Sequence, residues 1–153
     1  MKRVLVGIVL LMLVIQLIRP DRSNVPEDHA KNIHAFVTIP DTIDAILVRS
    51  CYDCHSNTTR WPWYSGFAPA SWIIADDVQM GRRHLNFSEW GTYPQKRMRK
   101  KLYEISEVVK DKSMPLHLYL NFHSAAKLSS SEIQMLANWA DDEADRIVVK
   151  EEP

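Results

Sequence analysis

The chain opens on an apolar run, Val4 to Ile18, interrupted only by Gly7 and Gln16 and framed by Lys2-Arg3 and Arg19-Pro20. A run without a polar face predicts a hydrophobic helix, the pattern of a secretory signal or of a short membrane anchor. No small-x-small cleavage site follows it. Residues 1–19 are therefore expected to stay attached as a transmembrane helix, with Lys2 and Arg3 cytoplasmic and everything after them on the periplasmic side of the cytoplasmic membrane. Residues 20–38, with prolines at 20 and 26 and few large apolar groups, predict an extended linker. Residues 39–148 form the expected domain, and 149–153 a short tail.

Within that domain the apolar positions recur with helical spacing, and no stretch alternates long enough to require a sheet. Asp41 to Ser50 places Ile43, Ile46 and Leu47 on one face, with Asp41 as the expected N-cap. A second helix begins near Pro69 and repeats Ile74, Val78, Gly81 and Leu85 until Asn86–Trp90 breaks it. Pro94 to Lys110 carries Met98, Leu102, Ile105 and Val109 opposite a basic face. Ser129 and Glu132 have capping-box spacing ahead of an inward stripe of Ile133, Leu136, Ala137, Ala140, Ala144 and Ile147. The fold class read from this pattern is all-α.

Nineteen basic residues balance nineteen acidic ones among 153, so no net field favours nucleic acid as a partner. The aromatic residues are uneven: Trp61, Trp63, Tyr64, Trp72, Phe87 and Trp90 fall within thirty positions, as if to cover one large flat apolar object. Only two cysteines are present, in Cys51-Tyr52-Asp53-Cys54-His55, too few for a disulfide scaffold.

Two thiols at i and i+3 match the vinyl edge of one porphyrin, and a histidine directly after the second can turn under the ring to bind iron. This is the spacing of c-type haem attachment. A redox dithiol would want a βαβ setting, and a zinc site would want further Cys or His ligands at close spacing; neither pattern is present. His55 is thus the expected proximal ligand, with one haem c per chain held by Cys51 and Cys54. For the other iron face the candidates are Met80, His84, Met98, Met114, His117, His123 and Met135. Met114 is preferred because Pro115 drives it out of helical geometry, so that a loop can present its thioether. His117 or His123 in that place would give a bis-histidine site. Trp61, Trp63, Tyr64 and Trp72 are expected to wall the porphyrin, with ordinary core packing as the alternative. Arg60, Arg82 and Arg83 are candidate partners of its propionates.

The segments Cys51–Asn57, Trp61-Pro62-Trp63-Tyr64, Ala68-Pro69-Ala70-Ser71-Trp72, Gly81-Arg82 and Asn86-Phe87-Ser88-Glu89-Trp90 together resemble the bacterial haem-binding domain family, which has a single CxxCH motif. The likeness runs over roughly residues 37 to 145 and includes Met114-Pro115. It implies a monohaem protein resembling class I cytochromes c, a small helical domain around one covalent haem.

The function expected on these grounds is electron transfer by a membrane-anchored monohaem cytochrome with a redox protein as partner, and no bond chemistry. A peroxidase-like enzyme, or a haem-based sensor or assembly subunit, is the alternative. The run Lys96, Arg97, Arg99, Lys100 and Lys101 is a candidate docking face for an acidic partner or anionic lipid, and otherwise a solvated helix face.

Overall fold

Local helical preference followed by apolar-stripe packing accounts for the architecture. The computed structural model describes residues 1–149, and among them it contains helices and turns but no strand. The elements are α1 (Lys2–Ile15), α2 (Asp41–Ser50), α3 (Tyr52–His55), α4 (Ala70–His84), α5 (Gln95–Lys110), α6 (His117–Leu120) and α7 (Ser130–Arg146), with 3-10 turns at Ile33–Ala35, Trp63–Gly66, Phe87–Thr92 and Ser124–Ala126. Of the expected tail, residues 150–153 lie outside the described residues.

The core sits where α5 and α7 pack against each other and α2 packs on α7. α5 contributes Met98, Leu102, Ile105 and Val109, the stripe its sequence predicts. α7 meets it with Leu136 and the small residues Ala137, Ala140 and Ala144, which let the two backbones approach. Leu47, Leu102, Leu136 and Trp90 are each fully buried. Ser129 starts α7 with a complete capping box: its hydroxyl accepts from the Glu132 N–H, and Glu132 accepts from the Ser129 N–H. α2 begins one residue earlier than a capping Asp41 would require. Pro40 takes the cap position with no side-chain bond, and Asp41 and Asp44 instead supply negative charge to the first turn.

The N-terminus departs most from expectation. α1 ends at Ile15 after fourteen residues, about 21 Å of helix against a hydrocarbon core of ~30 Å. No helix among the described residues is long and apolar enough to cross a membrane. The expected transmembrane anchor is therefore withdrawn, and with it the single-pass placement of a periplasmic domain. The physical reason is Gln16. Its Nε2 donates to Met12 O and to Ala68 O, and its Oε1 accepts from Ala68 N at 2.9 Å. The one polar interruption in the run terminates the helix and ties its end to the loop before α4.

Residues 20–38 likewise follow the domain surface, where an extended linker was expected. Ile33 is fully buried. Glu27 accepts from Ser88 Oγ and from Asn32 Nδ2, and Lys31 O accepts from Gly91 N at 2.8 Å. Gly91 permits this crossing, because a Cβ there would fall 2.6 Å from the Phe36 ring.

Candidate functional site

The end of α2 delivers the cysteine motif. Cys51 N–H closes α2 onto Leu47 O, and the N–H groups of Cys54 and His55 both return to Cys51 O, so the motif winds into the single turn α3. One turn puts positions i, i+3 and i+4 side by side, which brings Cys51, Cys54 and His55 together. α3 then lies against α4. Gly81 allows the approach: a Cβ on it would come within 2.6 Å of Cys54 O.

That contact also orients the imidazole. His55 Nδ1 lies 3.1 Å from Gly81 O and 3.0 Å from Leu85 O, carbonyls at the C-terminal end of α4. Carbonyl oxygens only accept, so Nδ1 carries the proton and Nε2 keeps its lone pair. Burial lowers the His55 pKa below its ordinary value against the opposing pull of the two hydrogen bonds, which keeps the ring neutral near pH 7. Phe87 stands edge-on to it at 6.4 Å. The result is a neutral imidazole, fixed in one tautomer by backbone groups and offering one nitrogen.

Both cysteines are free and half-buried. Burial, with the neighbouring thiol adding to it for Cys51 and Asp77 for Cys54, pushes each up to about 12. Such thiols stay protonated, unlike the low-pKa nucleophile of a redox dithiol. Among the described residues no group of three or more His, Cys, Asp or Glu gathers to hold a metal ion by itself.

The four aromatics predicted to wall a porphyrin do not share one environment. Trp61 is half-buried, and its indole N–H is shut from solvent with no hydrogen-bond partner. Trp63 is 82% exposed and meets the edges of Tyr64 and Phe67. Tyr64 is half-buried, its ring tilted on Phe122 and its hydroxyl 3.3 Å from both ring nitrogens of His123. Trp72 donates from Nε1 to Ile18 O at 2.8 Å, so it clasps the N-terminal segment. The fully buried aromatics are Phe87 and Trp90, which stack on each other. Of the predicted propionate partners, Arg60 is engaged by Asp53, and Arg82 donates to Ser56 O and Thr59 Oγ1.

Met114 lies in the loop between α5 and α6, half-buried, and its N–H donates to Val108 O. Met98 belongs to the core, whereas Met80, Met135, His84 and His117 are exposed. His123 is half-buried and lines a cleft of about 450 Å³ with Asp53, Arg60, Tyr119 and Phe122. Asp53 and Tyr119 were missed as site residues, as were the Gly81 and Leu85 carbonyls. Only Gly81 carried a usable signal, since a glycine inside a helix marks a close backbone approach.

The donor set suits an iron porphyrin. Two protonated thiols stand one helical turn apart, an oriented imidazole offers Nε2, and the buried Trp61 N–H has no protein acceptor, while carboxylate propionates accept hydrogen bonds. No curated protein and no solved structure matches the chain. A family model described as a haem-binding domain matches residues 10–142, well over half of the sequence, and on that match the chain belongs to the haem-binding domain family.

Proposed function

We propose that this haem-binding protein holds one haem c covalently and acts as a monohaem electron carrier. Cys51 and Cys54 would hold the porphyrin by thioether bonds, and His55 Nε2 and Met114 would be its iron ligands. Bound haem contributes an iron that cycles between ferric and ferrous. The observation that carries the reading is the pair of carbonyls on His55 Nδ1. Partners on the far nitrogen are what fix the tautomer and direction of a metal-bound imidazole.

The remaining residues bind and shield. Phe87 packs edge-on against His55 and tilted against Tyr52, closing the ring's flank to water. Trp61 is assigned to a propionate through its free N–H. A thioether and an imidazole together favour ferrous iron and raise the reduction potential, as suits a carrier exchanging electrons with a redox protein. One feature favours a second reading, a peroxidase-type or ligand-sensing haem protein: the open cleft beside His123.

Protein co-expressed with a cytochrome c maturation system tests both. Covalent haem by pyridine haemochrome and by mass, with a ferrous form that refuses carbon monoxide, is expected of the carrier. Ready carbon monoxide binding moves the assignment to the second reading, and a polypeptide without added haem mass overturns both.

A further inference from the structure

Asp53 occupies the second variable position between the motif cysteines, and its side chain is only 15% exposed. Four donors converge on its carboxylate: Arg60 N–H at 3.2 Å, Arg60 Nε at 3.0 Å, Arg60 Nη2 at 3.4 Å and the Tyr119 hydroxyl at 2.9 Å. Arg60 is itself held, since its Nη2 donates to Val48 O of α2. The carboxylate is therefore fixed to the haem-attachment turn from behind and reaches out only through Tyr119.

Tyr119 belongs to α6, in the segment 114–126 that carries both Met114 and His123. Its ring stacks on His123 at 4.0 Å and 12°, and its carbonyl accepts from His123 Nδ1 at 3.1 Å. Among the described residues, side-chain hydrogen bonds join this segment to the rest of the chain at two places, Tyr119 to Asp53 and His123 to Tyr64. Only the first reaches the motif.

We propose that Asp53 is a positioning residue for the sixth iron ligand, holding the 114–126 segment to the haem-attachment turn through Tyr119. This rests on the covalent haem proposed above. Any sixth ligand from that segment stays bound only while the segment stays docked, and the Asp53–Tyr119 bond opposes its release. A hydrogen bond to a charged group contributes ~1.5 kcal/mol. Its loss raises the population with the ligand detached about tenfold.

The test uses the full chain matured with haem, as wild type, Tyr119→Phe, Asp53→Asn and Tyr103→Phe. The last breaks a tyrosine–aspartate bond of the same kind, Tyr103 to Asp145, between α5 and α7. Haem content by pyridine haemochrome is expected to be equal in all four. Apparent carbon monoxide affinity of the ferrous form is expected to rise about tenfold in Tyr119→Phe, and less in Asp53→Asn, which keeps an acceptor oxygen. The ferric sulfur-to-iron charge-transfer absorption should weaken in parallel, and Tyr103→Phe should match wild type. If Tyr119→Phe does not mature, Asp53→Asn alone decides. Haem-loaded Tyr119→Phe and Asp53→Asn proteins that bind carbon monoxide as wild type does would overturn the proposal while leaving covalent haem intact. So would a wild type that already binds it freely. A wild type without covalent haem removes the parent reading, and this one with it.

Discussion

The two sides of the molecule are built from different materials. On one side α2, α5 and α7 close over Leu47, Leu102 and Leu136, each with no exposed surface, and the interior is filled by aliphatic groups together with Phe87, Trp90, Tyr93 and Trp139. On the other, around residues 51–69 and 114–126, large side chains stay outside: Trp63 is 82% exposed, Phe122 68% and Phe67 60%. Beside the packing of α3 on α4, polar contacts tie that side together: His55 to two carbonyls, Tyr119 to Asp53 and Tyr64 to His123. Trp63 meets both Tyr64 and Phe67, and Tyr64 meets Phe122, so these aromatics form one exposed patch, the kind of surface that marks a binding site. The difference separates a closed apolar core from an exposed aromatic surface, which the proposed reading assigns to the haem.

The largest test of that division removes the proposed attachment. Replacing Cys51 and Cys54 with alanine should abolish covalent haem altogether, read by haemochrome and mass, while the far-ultraviolet helical signal persists. Hydrogen exchange should then show α5 and α7 amides still protected and residues 52–69 and 114–126 unprotected. Uniform loss of protection over both regions would collapse the distinction.

Attacking the core sharpens the same comparison from the opposite side. Leu102 is fully buried at the α5–α7 contact, and Leu102→Ala should cost about 2–5 kcal/mol through lost burial and the cavity left behind. The fall in denaturant midpoint should be similar with and without haem. A core that merely leans on the cofactor would give a cost confined to the haem-loaded form.

Gly81→Ala tests the contact between α3 and α4. A Cβ at this position meets Cys54 O at 2.6 Å, and backbone cannot yield as a flexible side chain can. α3 and α4 must separate, at about 1–3 kcal/mol by analogy with overpacked cores. Separation also lengthens the His55 bond to Gly81 O, so the visible spectrum of the haem-loaded protein should shift together with its stability. A stability loss with an unchanged spectrum would show that the imidazole is held by Leu85 O alone.

What could be read from the chain before folding follows the same divide. The stripes of α5 and α7, the face of α2 and the Ser129–Glu132 box were legible because each is set by residues within a few positions of one another. That Cys51, Cys54 and His55 share one turn was legible for the same reason. Gln16 was read as an incidental interruption because the atoms it binds belong to Ala68, fifty-two positions away. Glu27 pairs with Ser88 across sixty-one positions, and nothing periodic announces it, so 20–38 passed for an extended linker. The groups that aim His55 are main-chain carbonyls, which composition does not distinguish. Asp53 and Tyr119 meet across sixty-six positions, a distance at which a tyrosine and an aspartate look like any others.

The smallest effect concerns a contact between α2 and α7, next to the cysteine motif. Glu132, in the first turn of α7, accepts from Ser129 N–H at 2.8 Å and from Arg49 Nη2 at 2.7 Å, and Arg49 stands two residues before Cys51. The backbone hydrogen bond first, then Arg49 and the Ser129 hydroxyl, hold the Glu132 carboxyl down from 4.5 to about 2. A pKa lower in the folded than in the unfolded chain means that folding favours the ionised form. The contribution is therefore complete above about pH 4.5 and is lost as the pH falls toward 2. Because Glu132 is 22% exposed and Arg49 38% exposed, solvent screening leaves about 1 kcal/mol of it. Glu132→Gln should lie below wild type by that amount at pH 7, with the two stability curves converging between pH 4.5 and pH 2.5, as followed by urea midpoints. A gap that persists to pH 2.5 would mean that the cap works through shape alone, and that charge does not help join α7 to the helix bearing the cysteine motif.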